Sequence, residues 1–139
     1  MDNRVLKNIL SDYERKRDRA ILEQKIRKQK VHNKIPRIKA IDEEIMEIGL
    51  SMSRAIIENP ESYRGDLEDI KTHMERLKME KAYLLTENNI PVDYLDIQYE
   101  CMECEDTGYL LNGSRCNCLV QTLINKAYDM SNIKTVLKR

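Results

Sequence analysis

Residues 36–58 read PRIKAIDEEIMEIGLSMSRAIIE, and their apolar side chains return at alternating intervals of three and four: Ile38, Ile41, Ile45, Ile48, Met52 and Ala55. That rhythm is an a/d heptad seam, so the stretch reads as an amphipathic helix ending near Glu58. Pro36 lacks a backbone donor and disfavours helix at Ile35, which predicts a kink or a short break near residues 34–36.

Upstream of the break nothing interrupts a helix between Val5 and about Asn33. Leu6, Ile9, Leu10, Tyr13, Ala20 and Ile21 recur at helical spacing, and the stretches ERKRDR and KIRKQK make the later part basic. Downstream, Asn59-Pro60 and Gly65-Asp66 interrupt, with Asp66 as the expected N-cap of a third helix and Asp69 its capping partner. Leu67, Ile70, Met74, Leu77, Leu84 and Leu85 carry that helix to Asn88-Asn89. Its stripe matches that of residues 36–58, which predicts an antiparallel helical hairpin with both stripes as core. Residues 90–100 read as an extended connector with one helical turn. After Cys118, Leu119, Val120, Leu123, Ile124 and Ala127 mark another helix, with Ser131-Asn132 expected to end it and to cap a last one running to Arg139.

With 139 residues, the chain has length for one domain or for a helical body with a small satellite. It has no Trp or Phe and is 35% charged, so its core rests on aliphatic residues, methionine and seven tyrosines, which favours helix-on-helix packing. No apolar run is long enough to span a bilayer, the N-terminus lacks the apolar core of a signal peptide, and the expected location is cytoplasmic. The formal net charge of zero conceals two opposed blocks. Residues 1–40 hold 13 Lys and Arg against 5 Asp and Glu, while residues 41–100 hold 6 against 15.

All four cysteines fall in CMECEDTGYLLNGSRCNC, residues 101–118, with the spacing Cys-x2-Cys-x11-Cys-x-Cys. In a reducing compartment such a cluster points to metal rather than disulfides. Asn112-Gly113 is a strong hairpin signal and would return Cys116 and Cys118 to Cys101 and Cys104, the Cys-x-Cys pair facing one side of a strand. Gly108 allows the tight exit from the first pair. Four thiolates fill a tetrahedral shell, so one structural Zn2+ per chain is expected, with no open position for catalysis. An iron–sulfur cluster or a redox dithiol is the competing use of the same residues. His32 and His73 fall among charged residues and read as solvated.

The expected fold is therefore mainly α. A coiled-coil-like helical hairpin or small bundle, residues 1–96, precedes a zinc-bound β-hairpin and C-terminal helix, residues 97–139. The four glycines form neither a phosphate-binding loop nor a dinucleotide fingerprint, and no nucleophile–base motif occurs, so no catalytic or cofactor-binding residue is nominated.

The order of a basic helix, KIPRIKAIDEEIMEIG, an acidic helix ending LLTENNIPVDYLD, and YECMECEDTGYLLNGSRCNCLVQTLINKAYDMSNIK resembles the N-terminal region of DnaC/DnaI-like, IstB-related replicative helicase loaders. The resemblance covers essentially the whole chain, and CxxCxDTGY followed by CxC is its most specific part. It implies a zinc-bearing region that binds a DnaB-type replicative helicase and precedes an AAA+ ATPase domain, with ATP bound only by that further domain. Two other uses compete. Arg15, Lys16, Arg17, Arg19, Lys25, Arg27, Lys28 and Lys30 are candidate contacts to single-stranded DNA or to a partner. CMECEDTG is also similar to one zinc repeat of DnaJ-type co-chaperones, which bind unfolded protein, although the CxC pair departs from that pattern.

Overall fold

The computed structural model describes residues 3–61 and 63–137, and the side chains of residues 3–61 and 67–131. Four helices account for most of the chain: α1 (Asn3–Lys34), α2 (Pro36–Glu58), α3 (Tyr63–Glu87) and α4 (Asn117–Leu137), with a 3-10 turn at Val92–Leu95. The architecture is mainly helical, as expected. No helix among the described residues is long and apolar enough to cross a membrane.

The break at proline takes its simplest form. Ile35 leaves the helical region at φ −129°, ψ 84°, and Pro36 starts α2 at a position where a missing N–H costs nothing. The end of α3 is a Schellman turn. Asn89 sits at φ 59°, its N–H donates to the Thr86 carbonyl at 3.0 Å, and the Ile90 N–H donates to the Leu85 carbonyl at 2.9 Å. Ile90 then packs against the cluster that contains Leu85.

Two boundaries differ from expectation. The α3 helix begins at Tyr63, so Gly65-Asp66 lies inside it and is not its cap; the Asp66 side chain is outside the described residues. One glycine near a helix start costs at most about 1 kcal/mol, which hairpin packing outweighs. α4 runs on through Ser131-Asn132 to Leu137 as one helix. Those two residues weaken a helix by only a few tenths of a kcal/mol each, and neither Gly nor Pro is present to stop it. Lys138 and Arg139 lie outside the described residues.

The chain divides into two compact units. Lys25–Asp96 holds the end of α1, the hairpin and the 3-10 turn around a core of Val31, Ile35, Ile38, Leu85 and Leu95. Ile38 and Ile41 are fully buried, whereas Ile45, Ile48, Met52 and Ala55 farther along the seam are half-buried. The α2 and α3 helices are antiparallel neighbours. Arg37 grips Glu80 through two hydrogen bonds of 2.8 and 2.9 Å, and His73 meets Glu44 at 3.0 Å. His32 is not solvated as its neighbours implied. Its Nε2 lies 2.7 Å from Asp42, which also accepts from Lys81 at 2.6 Å.

The other unit takes the residues up to Gln24 together with those from Ile97 onward. One boundary falls between Asp96 and Ile97, and the first part of α1 groups with the cysteine segment. Its core explains why: Ile9 and Tyr13 of α1 pack with Leu119 and Leu123 of α4. Between the cysteine pairs no strand forms among the described residues. One isolated antiparallel bridge, Tyr109 to Arg115, stands where a β-hairpin was expected. The return leg enters α4 directly after Cys116, which leaves too few residues for a ladder.

Candidate metal centre

The site begins with two tight turns. After Cys104 the backbone passes through Glu105 and Asp106, at φ 52° and 57°, and Gly108, at φ 85°. The two left-handed non-glycine residues in succession are held by local bonds. Asp106 is 1% exposed, and its carboxylate accepts from the Glu100 N–H at 3.0 Å and the Cys101 N–H at 2.9 Å. Thr107 donates to the Cys104 carbonyl at 2.7 Å. Gly108 is needed for space as well as for angle, since a Cβ there would sit 3.3 Å from Leu119 Cδ2 and 3.4 Å from Tyr13 Cε2.

The return is made by a three-residue loop. The Gly113 N–H donates to the Leu110 carbonyl and the Leu110 N–H to the Ser114 carbonyl, both at 2.9 Å. Only Gly113 adopts positive φ, so the Asn-Gly pair builds a turn with glycine in its last place. Asn112 accepts from the Ser114 N–H at 2.9 Å. The Cys116 N–H closes the loop on the Gly108 carbonyl at 2.8 Å.

Cys116 and Cys118 do not alternate along a strand. Cys116 is the residue before α4, and its carbonyl accepts from Leu119 and Val120; Cys118 lies in the first helical turn. Helix entry therefore brings these two sulfurs to the Cys101–Cys104 turn. All four Sγ atoms lie within 4.8 Å of one another, with Cys101–Cys116 at 3.7 Å and Cys104–Cys118 at 3.6 Å. A tetrahedron of sulfurs ~2.3 Å from a central ion has edges of ~3.8 Å, so these separations fit a metal and are far too long for disulfides. All four cysteines are free thiols.

The electrostatics of the four thiols are mixed. The Cys104 backbone N–H holds the Cys101 thiol down at about 7, whereas burial pushes Cys118 up to about 12. The N-terminus of α4 favours a Cys118 thiolate, but without a cation burial outweighs it; a bound dication reverses the balance. Four sulfur donors leave no coordination position for a substrate or water, so the arrangement is suited to holding structure together.

Of the eight basic candidates, Arg15, Lys16, Arg17 and Arg19 belong to one unit and Lys25, Arg27, Lys28 and Lys30 to the other. Arg17 donates to the Asp106 carbonyl at 2.7 Å, and Arg27 donates to the carbonyls of Tyr94 at 2.9 Å and Asp96 at 3.1 Å. Lys16 pairs with Glu100 at 3.0 Å and Arg15 with Asp12. Together with Arg19 these last four line a cleft of about 280 Å³ that mixes both signs of charge. Lys25, Lys28 and Lys30 are exposed on α1.

Sequence reasoning missed Asp106 and Tyr13. The Tyr13 hydroxyl lies 2.9 Å from Cys118 Sγ, and burial together with that sulfur holds its phenol well above the ordinary tyrosine range. Asp106-Thr107, one residue after the CxxC turn, was the available signal for the first. No local signal marks Tyr13, which is 105 residues from its partner. No known protein family, no curated protein and no solved structure matches the chain.

Proposed function

We propose that the chain is a non-catalytic helical adaptor stapled by one structural zinc ion on Cys101, Cys104, Cys116 and Cys118, and that it forms the helicase-binding part of a replicative helicase loader. The observation that carries the metal reading is the convergence to within 4.8 Å of four sulfurs from two cysteine pairs with 11 residues between them. Zinc is the ion because it favours four tetrahedral thiolates and brings no redox demand. The turn between Tyr109 and Arg115 is then a rudimentary zinc hairpin, its missing ladder replaced by the metal. Unoxidised thiols at this density call for a reducing compartment, and we place the protein in the cytoplasm.

The helicase reading is supported by the resemblance of CMECEDTGY and CNC, with the helices around them, to loaders of the DnaC/DnaI type. DNA binding is the weaker reading, because Arg17 and Arg27 use their guanidinium groups to hold backbone carbonyls and Lys16 and Arg15 are paired with acids. Elemental analysis tests the staple: one zinc per chain, with loss of helix signal on chelation, is expected. Iron with visible absorbance, or no metal, refutes it. Co-migration with a DnaB-type helicase in the presence of zinc tests the partner, and separate migration of the two proteins removes the adaptor assignment while leaving the staple in place.

A further inference from the structure

Most ties around the four cysteines come from their own segment, and two reach it from α1: Arg17 donates to the Asp106 carbonyl, and Tyr13 alone meets a cysteine sulfur. Tyr13 comes from α1, is 5% exposed, and places its hydroxyl 2.9 Å from Cys118 Sγ. Its ring is held on all sides that bear on this contact. It packs with Ile9, Leu119 and Leu123, and Gly108 leaves the room its edge occupies, a Cβ there standing 3.4 Å from Tyr13 Cε2. The Lys16 ammonium stands 5.4 Å above the ring. The ring is thus held by packing on both α1 and α4, with its hydroxyl beside the sulfur.

The direction of this hydrogen bond follows from the chemistry of a metal ligand. A metal-bound cysteine has no proton, so the phenol must be the donor. Four thiolates around a dication carry a formal charge of −2, and a hydrogen bond drawing density from one sulfur offsets part of that charge in a poorly solvated place. We infer that Tyr13 is an outer-shell positioning residue of the metal centre, its hydroxyl donating to the metal-bound Cys118 thiolate and making the N-terminal part of α1 a component of the site. The inference rests on the metal reading above. It extends that reading from four cysteines in one segment to a residue at the opposite end of the sequence.

Cobalt(II) is the probe, because thiolate-to-cobalt charge transfer reports the electron density on sulfur. Tyr13→Phe keeps the ring and removes only the donor. It is expected to weaken cobalt and zinc binding about tenfold, within the range for outer-shell substitutions, and to move the charge-transfer band to longer wavelength. Cys118 in the zinc-loaded variant is also expected to become the cysteine alkylated fastest by iodoacetamide. Leu123→Ala is the control: it removes packing from the same cluster, so it lowers stability but leaves the band where it is in the wild type. A Tyr13→Phe protein with unchanged affinity and band position overturns the inference and spares the metal reading. A wild-type protein that shows no cobalt–thiolate band overturns both.

Discussion

Gly108 and Gly113 have nearly the same backbone angle, φ 85° and 87°, yet their surroundings differ completely. An added Cβ at Gly113 meets nothing within 4 Å, whereas at Gly108 it presses on Leu119 and Tyr13. Gly113→Ala is expected to cost only the left-handed backbone term, about 1 kcal/mol. Gly108→Ala adds displacement of two fully packed side chains and is expected to cost about 2–4 kcal/mol. Denaturant unfolding of the zinc-loaded variants checks the difference. Equal losses would mean that the Gly108 contact with Tyr13 is not a constraint. The same scale governs the metal ligands. Because burial holds Cys118 as a thiol at neutral pH and loading must release its proton, metal affinity is expected to rise with pH and to weaken as pH falls. Calorimetry in buffers of different ionisation enthalpy reads that proton release directly.

Within the helical elements, the hairpin's polar register is set by Asp42. Burial acts to raise its pKa, but hydrogen bonds from Lys81 and His32 win and hold it below the usual carboxylate range. A carboxylate with a depressed folded pKa contributes stability that is fully present above its unfolded value, near 4, and is lost as pH falls through the folded one. Asp42→Asn is therefore expected to destabilise Lys25–Asp96 by about 2 kcal/mol at pH 7, chiefly from the charged hydrogen bond with Lys81, with the gap to wild type closing below about pH 4. Thermal melts across that range check the sign. A gap that persists in acid would place the effect in packing.

At the scale of the whole molecule, each compact unit has its own apolar core, so damage to one is expected to leave the other's signature intact. Ile38→Ala opens a cavity at a fully buried site and is expected to cost about 2–4 kcal/mol in Lys25–Asp96 without changing the number of metal ions bound. Removing the metal should do the reverse, with amide exchange accelerating around residues 97–123 before it does around α2 and α3. Hydrogen exchange with and without chelator separates the two. Simultaneous loss of protection everywhere would mean that the units unfold as one.

Helices announced themselves because their causes are local. The three-four recurrence of Ile38, Ile41, Ile45 and Ile48 and the backbone demands of Pro36 and Asn89 act over a turn or two, and a single sequence carries them in full. The cysteine cluster was legible for the same reason, since its spacing lies within eighteen residues. The route by which the sulfurs converge was less so. Nothing local says that Cys116 ends a turn and Cys118 begins a helix, and a strand reading of CxC satisfied the same spacing. The grouping of the first part of α1 with the cysteine segment, the His32–Asp42–Lys81 cluster and the Tyr13–Cys118 hydrogen bond depend on segments 10 to 105 residues apart. Such contacts are selected by which apolar faces can be covered together, and that choice exists only once the helices pack.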